Sequence, residues 1–315
     1  MNAVEPIVSL FMDKNFQWVM TACVLLGTSS GILGCFALLK KYSLLGDAMA
    51  HAALPGIALA FILTGIKSLD IFLIGAAIAS LLGAACIHFI TSNTRIKQDT
   101  ALAIVLSVFF GFGTVLLTKI AQSGAGNQAG LDAFLFGKAA SLMAADVRVM
   151  AIVTGTLILL TVLFFKEFKL LAFDPGFGRG IGWPMHALEG LLLLMLVLSV
   201  VIGLQAVGVV LMSALLIIPA AAARYWTEKL HVMTLIAAIF GVLSGFFGTL
   251  LSTLTPRMPT GPLIVLTSAA LFAISALFAP RRGWVTQWVR QLRWRRAFGQ
   301  NRPLFEEEAA PPRWQ

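Results

Sequence analysis

The sequence predicts an all-α, polytopic membrane protein with about nine transmembrane helices, within a range of eight to ten. Hydrophobic residues make up 59% of the chain and charged residues only 12%, whereas soluble domains contain about 25% charged residues. The mean hydropathy is +0.91. The 315 residues also contain repeated apolar runs of about 20 residues, the length that crosses a bilayer as a helix. Little of the chain remains for a soluble domain.

The predicted domains follow from the order of these runs. Residues 1–16 mix apolar side chains with Glu5, Pro6 and Asp13, which is typical of a segment at the membrane interface. Residues 17–280 form the predicted transmembrane domain. Its nine apolar runs cover residues 18–39, 43–64, 69–90, 100–120, 147–165, 186–202, 207–223, 232–254 and 262–279. If the sixth and seventh runs are two halves of one broken helix, or if one is re-entrant, the count changes by one.

Three further segments do not span. Residues 131–137 are too short to cross and fit a re-entrant or interfacial piece. Residues 166–184 are turn-rich and charged, and their length suggests a connection that docks a partner. Residues 281–315 form a basic, tryptophan-rich tail that resembles a membrane-surface helix; its assignment goes no further than membrane-surface or regulatory contact.

The distribution of basic residues predicts an orientation. Nine spans place one set of connections and the tail on the same side, and that set contains Lys40, Lys41, Arg95, Lys97, Lys166, Lys169, Arg179, Arg224 and Lys229. The opposite side is more sparsely basic. By the positive-inside rule the N-terminus lies outside and the C-terminus lies in the cytoplasm. We expect a multi-pass membrane protein with its basic connections on the cytoplasmic side.

Composition also excludes several classes of protein. The net charge of +9 comes from short connections and the tail, so contact with anionic lipid explains it better than nucleic-acid binding. Cys23, Cys35 and Cys86 lie within apolar runs without C-x-x-C spacing, which predicts neither a disulfide framework nor a zinc finger. No G-x-x-x-x-G-K-[ST] motif occurs, so ATP binding by a P-loop is not expected on this chain.

The most informative stretch is G-D-A-M-A-H-A-A-L-P-G at residues 46–56. Asp47 and His51 are four residues apart and therefore share one helix face. An ionised carboxylate inside a membrane is costly unless it is paired, hydrated or bound to a cation. A carboxylate oxygen with a neutral imidazole suits Zn²⁺, Mn²⁺ or Fe²⁺ and is unfavourable for Cu⁺. Two ligands do not complete a coordination shell, so a second subunit across a two-fold axis is one source of the others.

Other interpretations of this stretch remain open from the residues alone. Asp47 can cap the helix while His51 is a satisfied core histidine, or the pair can relay protons. Pro55, Gln205 and Pro219 are candidates for the pathway or for helix breaks. His186 with Glu189, and Cys86 with His88, are weaker candidates for a metal site.

Three stretches resemble the membrane permease subunits of bacterial ABC importers for zinc, manganese and iron. They are residues 46–56, residues 170–182 (L-L-A-F-D-P-G-F-G-R-G-I-G) and residues 205–223 (Q-A-V-G-V-V-L-M-S-A-L-L-I-I-P-A-A-A-A). Their order and spacing match the family across about residues 17–280. Gly176 departs from the family, which usually has an acidic residue after D-P, and Ala50 stands where many members have serine.

The resemblance implies a protein of the bacterial cytoplasmic (inner) membrane with a metal-translocation site that includes Asp47 and His51. It implies a homo- or heterodimer of permease subunits on two cytoplasmic ATPase subunits, with metal delivered by an extracytoplasmic metal-binding protein. It also implies an ATPase-docking loop whose candidate residues are Phe173, Asp174, Pro175, Gly176 and Arg179.

The predicted function is an ATP-driven importer subunit for a divalent transition metal. It is a transporter subunit in the lipid bilayer and not an enzyme, with no permanently bound cofactor. The alternatives are a stand-alone secondary transporter or channel that uses the Asp–His pair as a proton relay, and an ABC permease for a metal chelate.

Overall fold

The structure is a computed structural model that describes residues 12–42, 44–65, 69–122, 142–254, 258–280 and 283–288. The regular secondary structure of these residues is helical, and no strand occurs among them. The helices, numbered in chain order, are α1 Lys14–Leu39, α2 Leu45–Thr64, α3 Leu69–Asn93, α4 Gln98–Gln122, α5 Ala144–Leu163, α6 Phe165–Phe173, α7 Pro175–Gly180, α8 Met185–Val207, α9 Val209–Trp226, α10 Leu230–Leu254 and α11 Thr260–Phe278.

Nine of these helices match the nine predicted spans. Eight are long and apolar enough to cross a membrane, and the apolar helix α9 is the ninth and shortest, with 18 residues. The all-α polytopic prediction is therefore confirmed for the described residues. The predicted piece at residues 131–137 and most of the tail lie outside them.

The boundary between the sixth and seventh spans differs from the prediction. Helix α8 continues through Gln205 to Val207, and the break falls at Gly208, whose φ of 89° and ψ of 169° favour glycine. Pro55 and Pro219 both lie inside continuous helices. None of these three candidates therefore ends a helix, and neighbouring helices in a membrane support a helix that contains proline. Their role in the pathway stays a prediction.

The connection at residues 166–184 is also more ordered than predicted. Most of it folds as α6 and α7, because Phe168 and Leu171 bury one face of α6. The Phe168 ring packs edge-on against Phe36 of α1, with ring centroids 5.7 Å apart. Asp174 caps α7 by accepting a hydrogen bond from the backbone N–H of Phe177 at 2.9 Å, and Pro175 occupies the first turn, as helix starts favour.

Close packing of small residues holds the central helices together. Gly27 of α1 lies against Gly241 of α10, so that a Cβ added at Gly27 would lie 2.2 Å from the Gly241 carbonyl oxygen. Gly56 of α2 and Gly75 of α3 approach each other in the same way. Such contacts let transmembrane helices pack backbone to backbone. Helices α1, α2 and α8 are the most buried of the spans, whereas α4, α5 and α11 expose most of their apolar surface.

Contacts at one end of the bundle join the connections that the charge pattern placed together. Lys40, after α1, forms an ion pair with Glu189 in the first turns of α8. Leu39, Phe173 and Arg224 line one cavity, so the ends of α1, α6 and α9 are neighbours. The alternating order of helices therefore agrees with the predicted up-and-down path of the nine spans.

Candidate functional site

Helix α2 carries the candidate site and sits among the most buried parts of the bundle. At its start, Gly46 faces α9, where an added Cβ would lie 3.1 Å from a methyl carbon of Leu216. On another face, the Ser80 hydroxyl of α3 donates a hydrogen bond of 2.9 Å to the Met49 carbonyl. The small residues of the motif let α3 and α9 come this close. They fix α2 in position between those helices.

Asp47 and His51 are in contact, as their spacing predicts. The Nε2 atom of His51 lies 3.4 Å from Oδ1 of Asp47, and the side chains are 18% and 34% exposed for His51 and Asp47 respectively. The Nδ1 atom of His51 is buried and has no hydrogen-bond partner within the described chain. The Phe110 ring of α4 packs edge-on against the imidazole, with centroids 4.9 Å apart. The imidazole is thus held between a carboxylate and an aromatic ring.

This arrangement suits a transient cation ligand. Nε2 of His51 and Oδ1 of Asp47 lie 3.4 Å apart, close enough for one cation to contact both. Asp47 supplies a hard oxygen and His51 a neutral nitrogen, a combination that divalent transition metals accept. Among the described residues, no group of three or more His, Cys, Asp or Glu side chains could hold a metal ion. The remaining ligands must be water, backbone carbonyls or groups from another subunit.

Pro55 marks a second special feature of α2, one turn after His51. Proline has no N–H, so it cannot donate the helical hydrogen bond to the carbonyl of His51. Gly113 of α4 packs directly on this turn, and a Cβ added there would lie 3.0 Å from Cδ of Pro55. The backbone of α4 thus covers the turn beside His51. A larger residue at Gly113 would push α4 away from the candidate site.

The other pathway candidates lie elsewhere. Gln205 is buried near the C-terminal end of α8, about 30 Å along that helix from its start, at 1.5 Å per residue. Asp47 lies in the first turn of α2, next to the start of α8, because Tyr42 contacts Glu189. Gln205 is therefore at the opposite end of the bundle from Asp47. Pro219 is buried on α9, about one turn beyond the Leu216 contact with Gly46.

The docking-loop candidates form an exposed surface on α6 and α7. Phe173 is 59% exposed at the end of α6, and Arg179 is exposed on α7. Asp174 and Pro175 shape the turn between the two helices, and an added Cβ at Gly176 would make only an ordinary contact with Asp174. Three more large apolar side chains share this surface: Phe177, Ile181 and Trp183. They are not among the five named candidates, although all three lie in the connection at residues 166–184 that was predicted to dock a partner.

A polar cluster of Lys40, Tyr42 and Glu189 at the same end of the bundle was not predicted from the sequence. Glu189 of α8 accepts a hydrogen bond of 2.5 Å from the Tyr42 hydroxyl and pairs with the Lys40 ammonium at 3.0 Å. Burial raises the pKa of Tyr42 well above its usual range, and the nearby Glu189 carboxylate raises it further. Tyr42 is thus a neutral hydrogen-bond donor. It links the connection before α2 to α8.

Comparisons with known proteins decide between the classes left open by this geometry. Residues 12–279 match the ABC 3 transport family. The chain belongs to that family. It is a multi-pass membrane permease of an ABC importer, and so a transporter subunit rather than an enzyme. This finding supports the ABC importer interpretation and supports neither the stand-alone carrier nor the chelate permease.

Relatives in the ABC 3 transport family cover nearly the whole chain. The manganese transport system membrane protein MntC of Bacillus subtilis (strain 168) is 54% identical over 291 residues, covering 92% of this chain and 67% of that protein. The zinc transport system membrane protein TroC of Treponema pallidum (strain Nichols) is 43% identical over 290 residues, covering 92% of this chain and 97% of TroC. Membership is therefore not confined to one motif.

Solved structures agree with the fold. PsaBC from Streptococcus pneumoniae in complex with Fab matches with a TM-score of 0.78 at 32% identity, covering 92% of this chain and 100% of the matched chain. An inward-facing metal-chelate type ABC transporter matches with a TM-score of 0.59 at 16% identity, covering 82% of this chain and 84% of the other. The second match shows a shared fold alone.

Proposed function

We propose that this ABC 3 permease passes a divalent transition metal, Mn²⁺ or Zn²⁺, across the cytoplasmic membrane through a site that includes Asp47 and His51. The observation that carries the proposal is the contact between these two side chains on buried α2, where Nε2 of His51 and Oδ1 of Asp47 lie 3.4 Å apart. The transport systems that give MntC and TroC their names carry manganese and zinc. Oxygen and imidazole ligands accept both ions, as they accept Fe²⁺, which the names of these two relatives do not include.

The proposed assembly contains more than this chain. Two cytoplasmic ATPase subunits supply the energy, and an extracytoplasmic metal-binding protein supplies the cargo. A second permease subunit, identical or different, pairs with this one. The incomplete ligand set at Asp47 and His51 supports that pairing, because the cation needs donors beyond the two on this chain. Alternating access then exposes the site to each side of the membrane in turn.

The test is ATP-driven metal uptake by the reconstituted importer carrying Asp47→Ala or His51→Ala. We expect each variant to lower uptake of Mn²⁺ or Zn²⁺ by at least about tenfold, since even outer-shell partners of metal ligands contribute 10–100-fold. Asp70→Ala and His231→Ala are matched controls, because both residues are exposed at the start of a helix. Unchanged uptake in both site variants, at equal membrane abundance, contradicts the site assignment.

The same assay tests the energy source. A chain that works in this assembly needs ATP and the ATPase subunits, whereas a proton-coupled carrier needs a pH gradient alone. We expect no uptake by liposomes that contain only this chain, with or without a pH gradient. Gradient-driven uptake by the chain alone would favour the proton-relay alternative.

We also propose that the exposed surface of α6 and α7 docks an ATPase subunit. Phe177 is 60% exposed on a helix that is held in place by the Asp174 cap and by Gly178, which packs on Met185 of α8. Exposed apolar side chains of this size mark interaction surfaces when they lie outside the bilayer. The surface therefore offers a rigid apolar contact to a cytoplasmic partner.

The docking proposal predicts that Phe177→Ala weakens co-purification of the ATPase by at least about tenfold, as loss of an aromatic anchor does at interfaces. Phe112→Ala is the matched control, because Phe112 is 52% exposed on the apolar surface of α4. Metal binding to the purified permease should not change in either variant. Equal ATPase recovery with Phe177→Ala and the native chain would rule out this surface.

A further inference from the structure

His88 and His186 lie next to each other although they are 98 positions apart in the sequence. His88 is half-buried near the end of α3, and His186 is exposed in the first turn of α8. Their rings meet edge to face, with centroids 6.4 Å apart and planes inclined by 73°. Glu189 lies one turn after His186 and is close enough to His88 for an electrostatic interaction. The proposed translocation pair does not use these residues.

The spacing of the two rings fits a shared metal ion. With zinc–nitrogen bonds of about 2.1 Å, an ion lies about 3.2 Å from each ring centroid, and two rings on one ion have centroids about 5.2 Å apart at the tetrahedral angle and about 6.4 Å apart when linear. The observed separation lies at the upper end of that range. His186 is exposed, and rotation about its χ2 has a broad energy profile. That rotation turns a ring nitrogen towards an ion beside His88.

The surroundings predict weak binding. No third His, Cys, Asp or Glu completes a metal-binding group in the part of the chain that the structure describes. The Lys40 ammonium already neutralises Glu189 at 3.0 Å, and its positive charge opposes a nearby cation. Water must fill the other positions of the ion. A site through which cargo passes has to release it, so weak and incomplete coordination suits a transit site better than a storage site.

We propose that His88 and His186 form a second, low-affinity site for a divalent transition metal at the end of the bundle that carries α6 and α7. Metal binding by this pair does not depend on the proposed function of Asp47 and His51. Its role as a release station on the cytoplasmic side does rest on that function and on the predicted orientation. Met185, the neighbour of His186, packs on Gly178 of α7, so the proposed docking surface adjoins this site.

The experiment measures Co²⁺ binding to the full chain, purified in detergent, by its visible absorption. The background is Asp47→Ala with His51→Ala, which removes the first pair and leaves His88, His186 and His231 of the four histidines. We expect residual Co²⁺ binding that weakens by at least about tenfold on adding His88→Ala or His186→Ala. His231→Ala is the matched control and should leave binding unchanged. Cys86→Ser excludes the nearby exposed thiol.

Replacing His186 by another metal-binding residue distinguishes loss of a metal ligand from loss of folding. His186→Cys keeps a metal-binding group and should retain Co²⁺ binding with a thiolate charge-transfer band, while His186→Ala does not. Absence of Co²⁺ binding in the background, or binding that survives both alanine changes, overturns the proposal and leaves the ring contact as structural. Uptake that fails in Asp47→Ala while this Co²⁺ signal persists shows that the two sites are independent.

Discussion

Glu189 illustrates how one side chain can tie separate parts of this permease together. Its carboxylate is surrounded by the Tyr42 hydroxyl and the Lys40 ammonium, both from the connection between α1 and α2. A partly buried charge is costly unless such partners satisfy it. Because α2 begins three residues after Tyr42, the contact sets the position of α2 relative to α8. Glu189 therefore ties the start of the helix that carries Asp47 to the first turns of α8.

The residue-scale prediction concerns the ionisation of Tyr42. Burial raises its pKa, with the Glu189 carboxylate as a smaller cause, so the folded protein favours the neutral phenol. The resulting stabilisation is fully present below the unfolded pKa of about 10 and is lost as the pH rises through the higher folded-state pKa. Tyr225→Phe leaves Tyr42 as the sole tyrosine of the two in the chain. We expect its tyrosinate absorbance to develop only above the range of free tyrosine.

Adding Glu189→Gln to the Tyr225→Phe variant distinguishes burial from the Glu189 charge as causes of the raised pKa of Tyr42. Loss of the negative charge should lower the pKa of Tyr42, yet burial should keep it above about 10. A native Tyr42 that ionises like free tyrosine, or a pKa that ignores the Glu189 change, would contradict the described contact. Tyr42→Phe with Tyr225 retained provides the reference titration for the other tyrosine.

Sequence reasoning at this scale succeeded for local pairs and failed for distant ones. The i,i+4 spacing correctly placed Asp47 against His51, because both lie on one helix. The sequence pairs Glu189 only with His186 on its own helix, and nothing in the sequence connects it with Tyr42, 147 positions away. The contact of His88 with His186 was missed for the same reason. Only the packing of α3 against α8 brings those side chains together.

At the element scale, the bundle depends on backbone contact between α1 and α10. Gly27 and Gly241 face each other, and Gly245 approaches the Cys23 carbonyl in the same interface. With lipid as apolar as the side chains, such close van der Waals packing is a main source of helix association in membranes. The predicted helix positions were correct within a few residues, because apolar length determines them. The pairing of helices was not predicted, since nearly every span is rich in small residues.

Gly27→Ala tests this interface. Its Cβ would lie 2.2 Å from the carbonyl oxygen of Gly241, so α1 and α10 must separate, at a cost of about 1–3 kcal/mol or more. Gly155→Ala on α5 is the matched control, because nothing lies within 4 Å of its added Cβ. It should be neutral or stabilise the helix by up to about 1 kcal/mol. Denaturant unfolding in detergent measures both; equal stability of the two variants would contradict the packing.

At the scale of the whole molecule, contacts between helix ends and the charge pattern give the same topology. One cavity is lined by Leu38 at the end of α1, Arg224 at the end of α9 and Trp284 after α11. Three helix ends that the nine-span count assigns to one side are thus neighbours. Basic residues gather on that side, which the positive-inside rule assigns to the cytoplasm. The predicted orientation places α6, α7 and the His88–His186 pair there as well.

Cysteine labelling tests that orientation. Cys23 and Cys35 are buried and Cys86 is exposed, so Cys86→Ser provides a background without a reactive thiol. Met258→Cys, between α10 and α11, should react with a membrane-impermeant maleimide in intact spheroplasts. Thr94→Cys, in the exposed connection between α3 and α4, should react only after the membrane is opened. The reverse labelling pattern would place the docking surface outside the cell, where no ATPase subunit can reach it. It would therefore contradict both the predicted orientation and the release role of the His88–His186 pair.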